Sequence, residues 1–382
     1  MAEIYFDNSS TTKVCREAAE KVMEAMTVNY GNPSSLHALG FRAEQEMREA
    51  RKSVADLLDV EPEEITFTSG GTESNNIALF GAARARRKRG RRIVTTAIEH
   101  PSVLNTMKKL ETEGFEVIYL KPDGTGHIRP EQIAGAVTPD TILVSMMRVN
   151  NEVGSILPVE AAARAIADAK APALLHMDAV QAFGKLPLYP KRMGVDLMSM
   201  SSHKIHGPKG SGALYVRKGV HLEPLFYGGG QERNLRPGTE SVPLIAGFGA
   251  AVRALPGFGP EIKKMKELNA YCREALSAIP GIAINSPDDA LPYILNFSAE
   301  GVRSETMLHF LSDRGIYVSS GSACSRGRES HVLRAMGLPR ERIASALRLS
   351  FCRYNTESEA EEFLSALKAG LSDLVRRPAG RE

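Results

Sequence analysis

From about residue 64 the chain alternates short runs of β-branched and apolar residues with amphipathic stretches of helical length. EITFTS is followed by a helix from Thr72, RIVTTA by a helix after Pro101, and TILVSMM by a helix after Pro158. FEVIYLK, ALLHMD and DLMSMSS add further strands. Runs that are apolar at nearly every position are buried on both faces, so the alternation predicts a mainly parallel sheet covered by helices on both sides.

The pattern changes at Pro256–Pro260, where PGFGP punctuates the chain. After it come a helix to about Ser277, a strand around Tyr293–Phe297, a helix from Ser304 and a strand ALRLSF. A last helix is opened by Thr356, with Glu359 completing a capping box. The expectation is an α/β chain in two parts: a large domain over residues 13–255, and a smaller α+β domain formed by 1–12 and 256–382. The N-terminal arm could pack against either.

Length agrees with this division, since 382 residues with 43% hydrophobic content suit one large core or two moderate ones. A net charge of +3 is too mild to argue for a nucleic-acid or membrane partner. The one basic run, Arg84–Arg92, lacks interleaved aromatics and reads as the solvated last turns of a helix. No apolar signal region opens the chain and no run approaches the ~18 residues of a membrane span, which predicts a soluble protein that is not exported by a classical signal. The four cysteines at 15, 272, 324 and 352 form no CxxC pair, so neither a zinc knuckle nor a disulfide framework is signalled and a reducing cytoplasm is the expected compartment.

Cys15, Cys272 and Cys352 fall in amphipathic or apolar surroundings and read as small packed residues. Cys324 differs: it sits in VSSGSACSRGRES, a composition that predicts an exposed loop, where Arg326 and Arg328 would ease loss of its proton.

Three segments carry further chemistry. In TFTSGGTESNN a strand ends at Ser69-Gly70-Gly71 and a helix opens at Thr72-Glu73, so free N–H groups and the helix dipole face an anion; a plain turn is the alternative, since the lysine of a P-loop is missing. In MSMSSHKIHGPKG, Lys204 follows a strand and is flanked by Ser201, Ser202, His203 and the turn Gly207-Pro208. A lysine there can snorkel at a sheet edge, and it is also placed as a Schiff base with pyridoxal 5'-phosphate (PLP) requires. In LLHMDAVQAFGKL, Asp178 ends a strand one crossover before Lys204. A buried carboxylate needs a cation or donors, and the pyridinium nitrogen of PLP is such a cation.

Together, Asp178-Ala-Val-Gln181, Ser201-Ser-His203-Lys204, TSGGTES, Asn150-Asn151-Glu152-Val-Gly154 and SSGSAC resemble the cysteine desulfurases, PLP enzymes of the aspartate-aminotransferase fold. The resemblance runs from YFDNSSTT to RLSFCRYNT, and SSGSAC points to class I, the nitrogen-fixation and iron–sulfur-cluster type. It implies that Lys204 forms the internal aldimine, Asp178 pairs with the pyridine nitrogen and Gln181 contacts the ring hydroxyl. Gly71, Thr72, Ser201 and His203 would hold the phosphate, with Thr239 reaching it from the other subunit of a homodimer. His100 would stack on the ring and move protons. Asn151, which also borders the cofactor, and Arg348 would hold the substrate, Arg348 gripping its carboxylate.

The implied substrate is L-cysteine, converted to alanine while Cys324 attacks its sulfur and keeps a persulfide. The sulfur acceptor would be an iron–sulfur scaffold, a tRNA-thiolation protein or a cofactor pathway. The interval from Cys324 to His331-Val332-Leu333 is shorter than in the housekeeping iron–sulfur enzymes, and the chain stops at Arg381-Glu382 without their extended tail, which leaves that acceptor open. Selenocysteine lyase and aminotransferase activities use the same fold, and a non-catalytic thiol-bearing protein is the reading from another class. Without the resemblance, Arg348 would read as a surface ion pair and Thr239 as the cap of a helix near Glu240. His176 and His206 read as structural, His37 has no assigned chemistry, and Ser9-Ser10, where the family has small alanines, reads as a neutral change.

Overall fold

The computed structural model describes residues 3–320 and 329–375. In chain order it begins with β1 (Ile4–Tyr5), α1 (Arg16–Thr27), α2 (Ala38–Leu58), β2 (Ile65–Thr68), α3 (Gly71–Arg86), β3 (Arg92–Thr96), α4 (Pro101–Thr112) and β4 (Glu116–Leu120). Then come α5 (Pro130–Ala136), β5 (Thr141–Met147), α6 (Val159–Asp168), β6 (Leu174–Asp178), α7 (Pro190–Met193), β7 (Leu197–Ser201), β8 (Gly212–Val216) and α8 (Val242–Arg253). The rest comprises α9 (Phe258–Ser277), β9 (Ile282–Ile284), β10 (Ile294–Ala299), α10 (Ser304–Ser312), β11 (Ile316–Tyr317), α11 (His331–Ala335), α12 (Arg340–Ala344), β12 (Ala346–Ser350) and α13 (Glu357–Val375).

A seven-stranded sheet in the order β2-β8-β7-β6-β5-β3-β4 forms the centre. Its continuous apolar strands feed two cores, because successive side chains leave opposite faces. Val94, Val144, Leu175 and Met198 enter one apolar cluster, while their neighbours Ile93, Leu143, Leu174 and Leu197 enter the other with Ile77 and Leu79 of α3 and Met107 of α4. The sheet is parallel except at β8, which runs antiparallel to both β2 and β7. Strand β8 is not evident in the hydrophobic pattern, since its five residues follow a Gly-Pro-rich segment that masks the run. Because β8 reverses twice, β2 and β7 point the same way, and the C-terminal ends of β2, β7, β6 and β5 share one edge.

The chain after α8 forms a three-stranded antiparallel sheet, β12-β10-β9. The N-terminal arm packs with this part: β1 pairs in parallel with β11, and Asp7 bridges Ser350. Phe6 is fully buried and meets Phe351 and Phe363 edge-on at 5.6 and 6.1 Å. Burying one such ring contributes about 1.5–3 kcal/mol, enough to pin so short an arm.

Helix α9 starts at Phe258, inside the punctuation, with Pro260 in its first turn where a missing N–H costs nothing. The capping box of α13 is present: Thr356 N–H donates to Glu359 Oε2 at 2.8 Å and Glu359 N–H to Thr356 Oγ1 at 3.3 Å. The basic run is helical only to Arg86; Arg84 then pairs with Glu113, and Arg92 already belongs to β3 and pairs with Glu116. Among the described residues no single helix is long and apolar enough to cross a membrane.

Candidate functional site

The shared strand edge opens into a cavity of about 500 Å3. Position follows from topology, because ligands of such sheets bind where strands end and helices begin. Strand β6 delivers Asp178, 5% exposed, with Oδ1 accepting from Val180 N–H at 3.0 Å and Oδ2 from Asn75 Nδ2 at 2.8 Å. Asn75, on α3, also donates to Ser102 Oγ at 2.9 Å, and Ser102 Oγ lies 2.7 Å from His100 Nδ1.

His100 caps α4, its Nδ1 accepting from Ser102 N–H at 3.1 Å. A backbone N–H can only donate, so the neutral ring carries its proton on Nε2. Burial pushes the His100 pKa down, opposed by Asp178 and aided by Lys204 and His331.

Strand β7 leads through a single turn, Ser202–Lys204, to the lysine. Lys204 Nζ donates to the carbonyls of Ser9 and Ser10 at 2.5 and 2.7 Å, which places the N-terminal arm across the cavity. His203 Nδ1 lies 3.1 Å from Thr11 Oγ1, and burial, then Lys204, hold its pKa at about 4. Beside them α3 begins at Gly71 with no side-chain cap on its free N–H groups. Gly71 is required there, since a Cβ would come within 2.6 Å of Val180 Cγ2.

Strand β12 contributes Arg348, which is 2% exposed rather than a surface ion pair. Nη1 donates to Asn151 O, and Nη2 donates to Asp7 Oδ1 and to Ser10 Oγ, all at 2.8 Å. Its Nε has no hydrogen-bond partner among the described residues. The hydroxyl of Ser10 also donates to Asp7 at 2.8 Å, so Ser10 gives Arg348 a side-chain ligand that alanine would lack, whereas the two carbonyls that accept from Lys204 are backbone groups.

Asn150 shapes the turn after β5, its Oδ1 accepting from Glu152 and Val153 N–H at 2.9 and 3.0 Å. Glu152 is thereby buried against the cavity, where it accepts from Ser330 Oγ. Burial lifts its carboxyl to about 7, with Ser330 and Arg348 opposing. Glu99 is wholly buried and lifted to about 8 by burial; its Oε1 accepts from Thr96 Oγ1 at 2.7 Å and Met147 N–H at 2.9 Å, while Oε2 has no partner among the described residues. His331 Nε2 donates to Glu99 O at 3.0 Å, and its ring lines the cavity.

The cavity therefore gathers Gly71, Thr72, His100, Asn151, Asp178, Gln181, Ser201, His203, Lys204 and Arg348. Thr239 is exposed and lies outside its lining, and it caps no helix either, because α8 starts at Val242 with Ser241 before it. Cys324 lies outside the described residues. Asn75, Ser102, Glu152 and His331 belong to the site and were not evident in the sequence. Asn75 stood in the quoted TSGGTESNN, where a polar residue four positions into a helix and facing the sheet was the missed signal. A more open cleft of about 570 Å3 beside His127 and Arg273 carries none of this chemistry. His176, between Ser145 and Ser199, is held at about 3 by burial; His206 donates to Lys13 O, and His37 caps α2. Cys15, Cys272 and Cys352 are buried.

The donor set fits PLP. Asp178 is a buried carboxylate on the cavity wall with no ion pair among the described residues, as a pyridinium nitrogen requires. The uncapped start of α3, with Ser201 and His203, suits a phosphate, and Lys204 stands between the two.

The aminotransferase class-V family model matches residues 4–363. A NifS/IcsS protein homolog of Lactobacillus delbrueckii subsp. bulgaricus is 46% identical over 375 residues, covering 95% of this chain and 96% of its own. The cysteine desulfurase IscS of Methanosarcina thermophila is 42% identical over 368 residues, 95% and 91% of the two chains. A solved NifS-like protein superposes with a TM-score of 0.92 at 42% identity, covering 97% of this chain and 100% of its own.

Proposed function

Since the chain belongs to the aminotransferase class-V family and, within it, to the cysteine desulfurases, we propose that this cavity takes L-cysteine and hands its sulfur to Cys324. The observation that carries the reading is the meeting of Asp178, Lys204, His100 and Arg348 around one cavity, from four separate elements. Lys204 would hold PLP covalently, Asp178 its ring nitrogen, Gln181 its ring oxygen, and α3 with Ser201 and His203 its phosphate. Bound there, PLP supplies an electron sink for the carbon bearing the substrate's amine.

Around it the chain's own residues divide the work. Arg348 binds the substrate carboxylate, with Asn151 beside it, and so fixes which face of the substrate meets Lys204. The Lys204 amine, beside the bound substrate, would take the proton from Cα. His100, with its Nε2–H, would stack on the ring and move a proton. The Cys324 thiolate attacks the substrate sulfur: a sulfur–sulfur bond forms, the carbon–sulfur bond breaks with its electrons kept by carbon, that carbon takes a proton, and Cα regains the one it lost, so that alanine leaves. Thr239, exposed and away from its own cavity, reaches the phosphate of a second copy in a homodimer. Exposed Met23, Met26, Tyr30, Leu36 and Phe41, all within one stretch, support such an interface. The acceptor is a protein of iron–sulfur or thio-modification supply.

Cysteine added without reductant or acceptor tests the reading. It should yield about one alanine per site and then stall, with the persulfide on the peptide holding Cys324. Steady alanine release, or extra sulfur on Cys15, Cys272 or Cys352, would overturn it.

A further inference from the structure

Behind the cavity wall, in the turn that follows β6, Lys185 is 7% exposed and makes no ion pair among the described residues. A buried cation without a carboxylate is costly, so its retention asks for a role. Its Nζ donates to Gln181 Oε1 at 3.3 Å and lies 5.6 Å from the centre of the ring of Tyr293, the residue just before β10. Gln181 Nε2 in turn donates at 3.0 Å to the carbonyl of Ser9, the same oxygen that accepts from Lys204.

These partners leave one orientation for the amide. An ammonium only donates and a carbonyl only accepts, so Oε1 must face Lys185 and the NH2 group must face Ser9. A primary amide has two N–H bonds. Ser9 takes one; the other belongs to a group that lines the cavity. We propose that Lys185 is a positioning residue that locks the Gln181 amide with an N–H toward the cavity and strengthens it as a donor to the anionic ring oxygen of PLP. This rests on the PLP reading above. A positive charge one hydrogen bond away polarises the amide, and the dry surroundings of Lys185 leave that field weakly screened.

Other charges reach the same spot. Glu261, Cys352 and Arg348 act on Lys185, which burial first of all pushes down to about 8, and Lys185 acts on His203 and His206. The test therefore changes Lys185 alone. Lys185→Met keeps the length and removes the charge and donor; Lys185→Arg keeps both. Apo-protein is titrated with PLP, the pH midpoint of the bound cofactor's visible absorption band is recorded, and the melting of each apo-protein is followed. Lys185→Met should bind PLP about tenfold more weakly and move the midpoint to higher pH, with apo-protein that melts no lower than wild type. Lys185→Arg should lie near wild type in both. Unchanged affinity and midpoint in Lys185→Met, or an affinity loss explained by a lower melting point with the midpoint unmoved, overturns the proposal. Absence of the visible band in wild type would instead overturn the PLP reading itself.

Discussion

Arg348 and Ser319 are joined by both backbone hydrogen bonds of an antiparallel bridge, Arg348 N–H to Ser319 O at 2.7 Å and Ser319 N–H to Arg348 O at 3.2 Å. The guanidinium on the cavity wall and the approach to the thiol segment thus share one register. At the far side of that segment Ser330 donates to the buried Glu152, and His331 donates to Glu99 O. Both flanks of the cysteine-bearing stretch are fastened to the cavity rim.

That fastening predicts a kinetic split. Glu152→Ala removes the acceptor of Ser330 and should slow single-turnover alanine formation about tenfold, leaving the cysteine KM near wild type. Glu152→Gln keeps an acceptor oxygen and should stay within about twofold. Equal behaviour of the two variants would show that the tether does not position the thiol.

Arg348→Lys keeps a charge but loses the planar fork. Losing a charge-assisted bond to the substrate carboxylate should raise the cysteine KM roughly tenfold to hundredfold, with PLP still bound. Ser10→Ala, which removes one ligand of the guanidinium, should raise it less. Steady-state kinetics on holo-protein checks both, and an unchanged KM in Arg348→Lys would leave the residue a purely structural role.

Asn75→Leu leaves Asp178 with only the Val180 N–H donor among the described residues and breaks the chain to Ser102 and His100. The free carboxylate can then turn from the ring nitrogen, and PLP affinity should fall about tenfold. Equilibrium dialysis against PLP reads this directly; wild-type affinity would mean that the turn at Val180 alone holds the carboxylate.

Glu99 predicts a pH dependence of stability. Burial lifts its carboxyl from the ordinary value of 4.5 to about 8, so between those values the folded protein binds more protons than the unfolded chain. Stability is therefore highest below that window, falls as pH rises through it and levels above about 8, by at most about 1.4 kcal/mol per pH unit. Glu99→Gln cannot ionise and should lose this slope. Glu152 adds the same sign up to about 7, and His176, held at about 3, adds the opposite sign below 6.5, so the contrast is read as variant against wild type in denaturant melts at pH 5 and 8. Parallel slopes would place the charge elsewhere.

Much of this was legible from local pattern. Strands β2 to β7 are continuous apolar runs, and Asp178, Lys204 and the start of α3 are legible because each ends a strand or opens a helix. Arg348 was ambiguous because its decisive partner, Asp7, lies 341 residues away, a distance no local pattern spans. Ser9 and Ser10 act largely through backbone carbonyls, which carry no side-chain signature. Asn75 and Glu152 are polar residues that burial recruits, and burial is settled by packing between elements. The two-residue β1 and β11 are too short to show a period, and β8 is masked by the Gly-Pro-rich segment before it.

The arm that crosses the cavity also orders events in time. Ser9 N–H bonds Ser350 Oγ, and Asn8 Nδ2 bonds Ser350 O, contacts that span 341 and 342 residues. A ribosome makes Lys204 on the order of ten seconds before it makes Ser350. During that interval the arm has no β12 to lie against, and the carbonyls that receive the lysine are not yet held in place. A chain released before that strand is made therefore carries the lysine without the contacts that hold the two carbonyls against it.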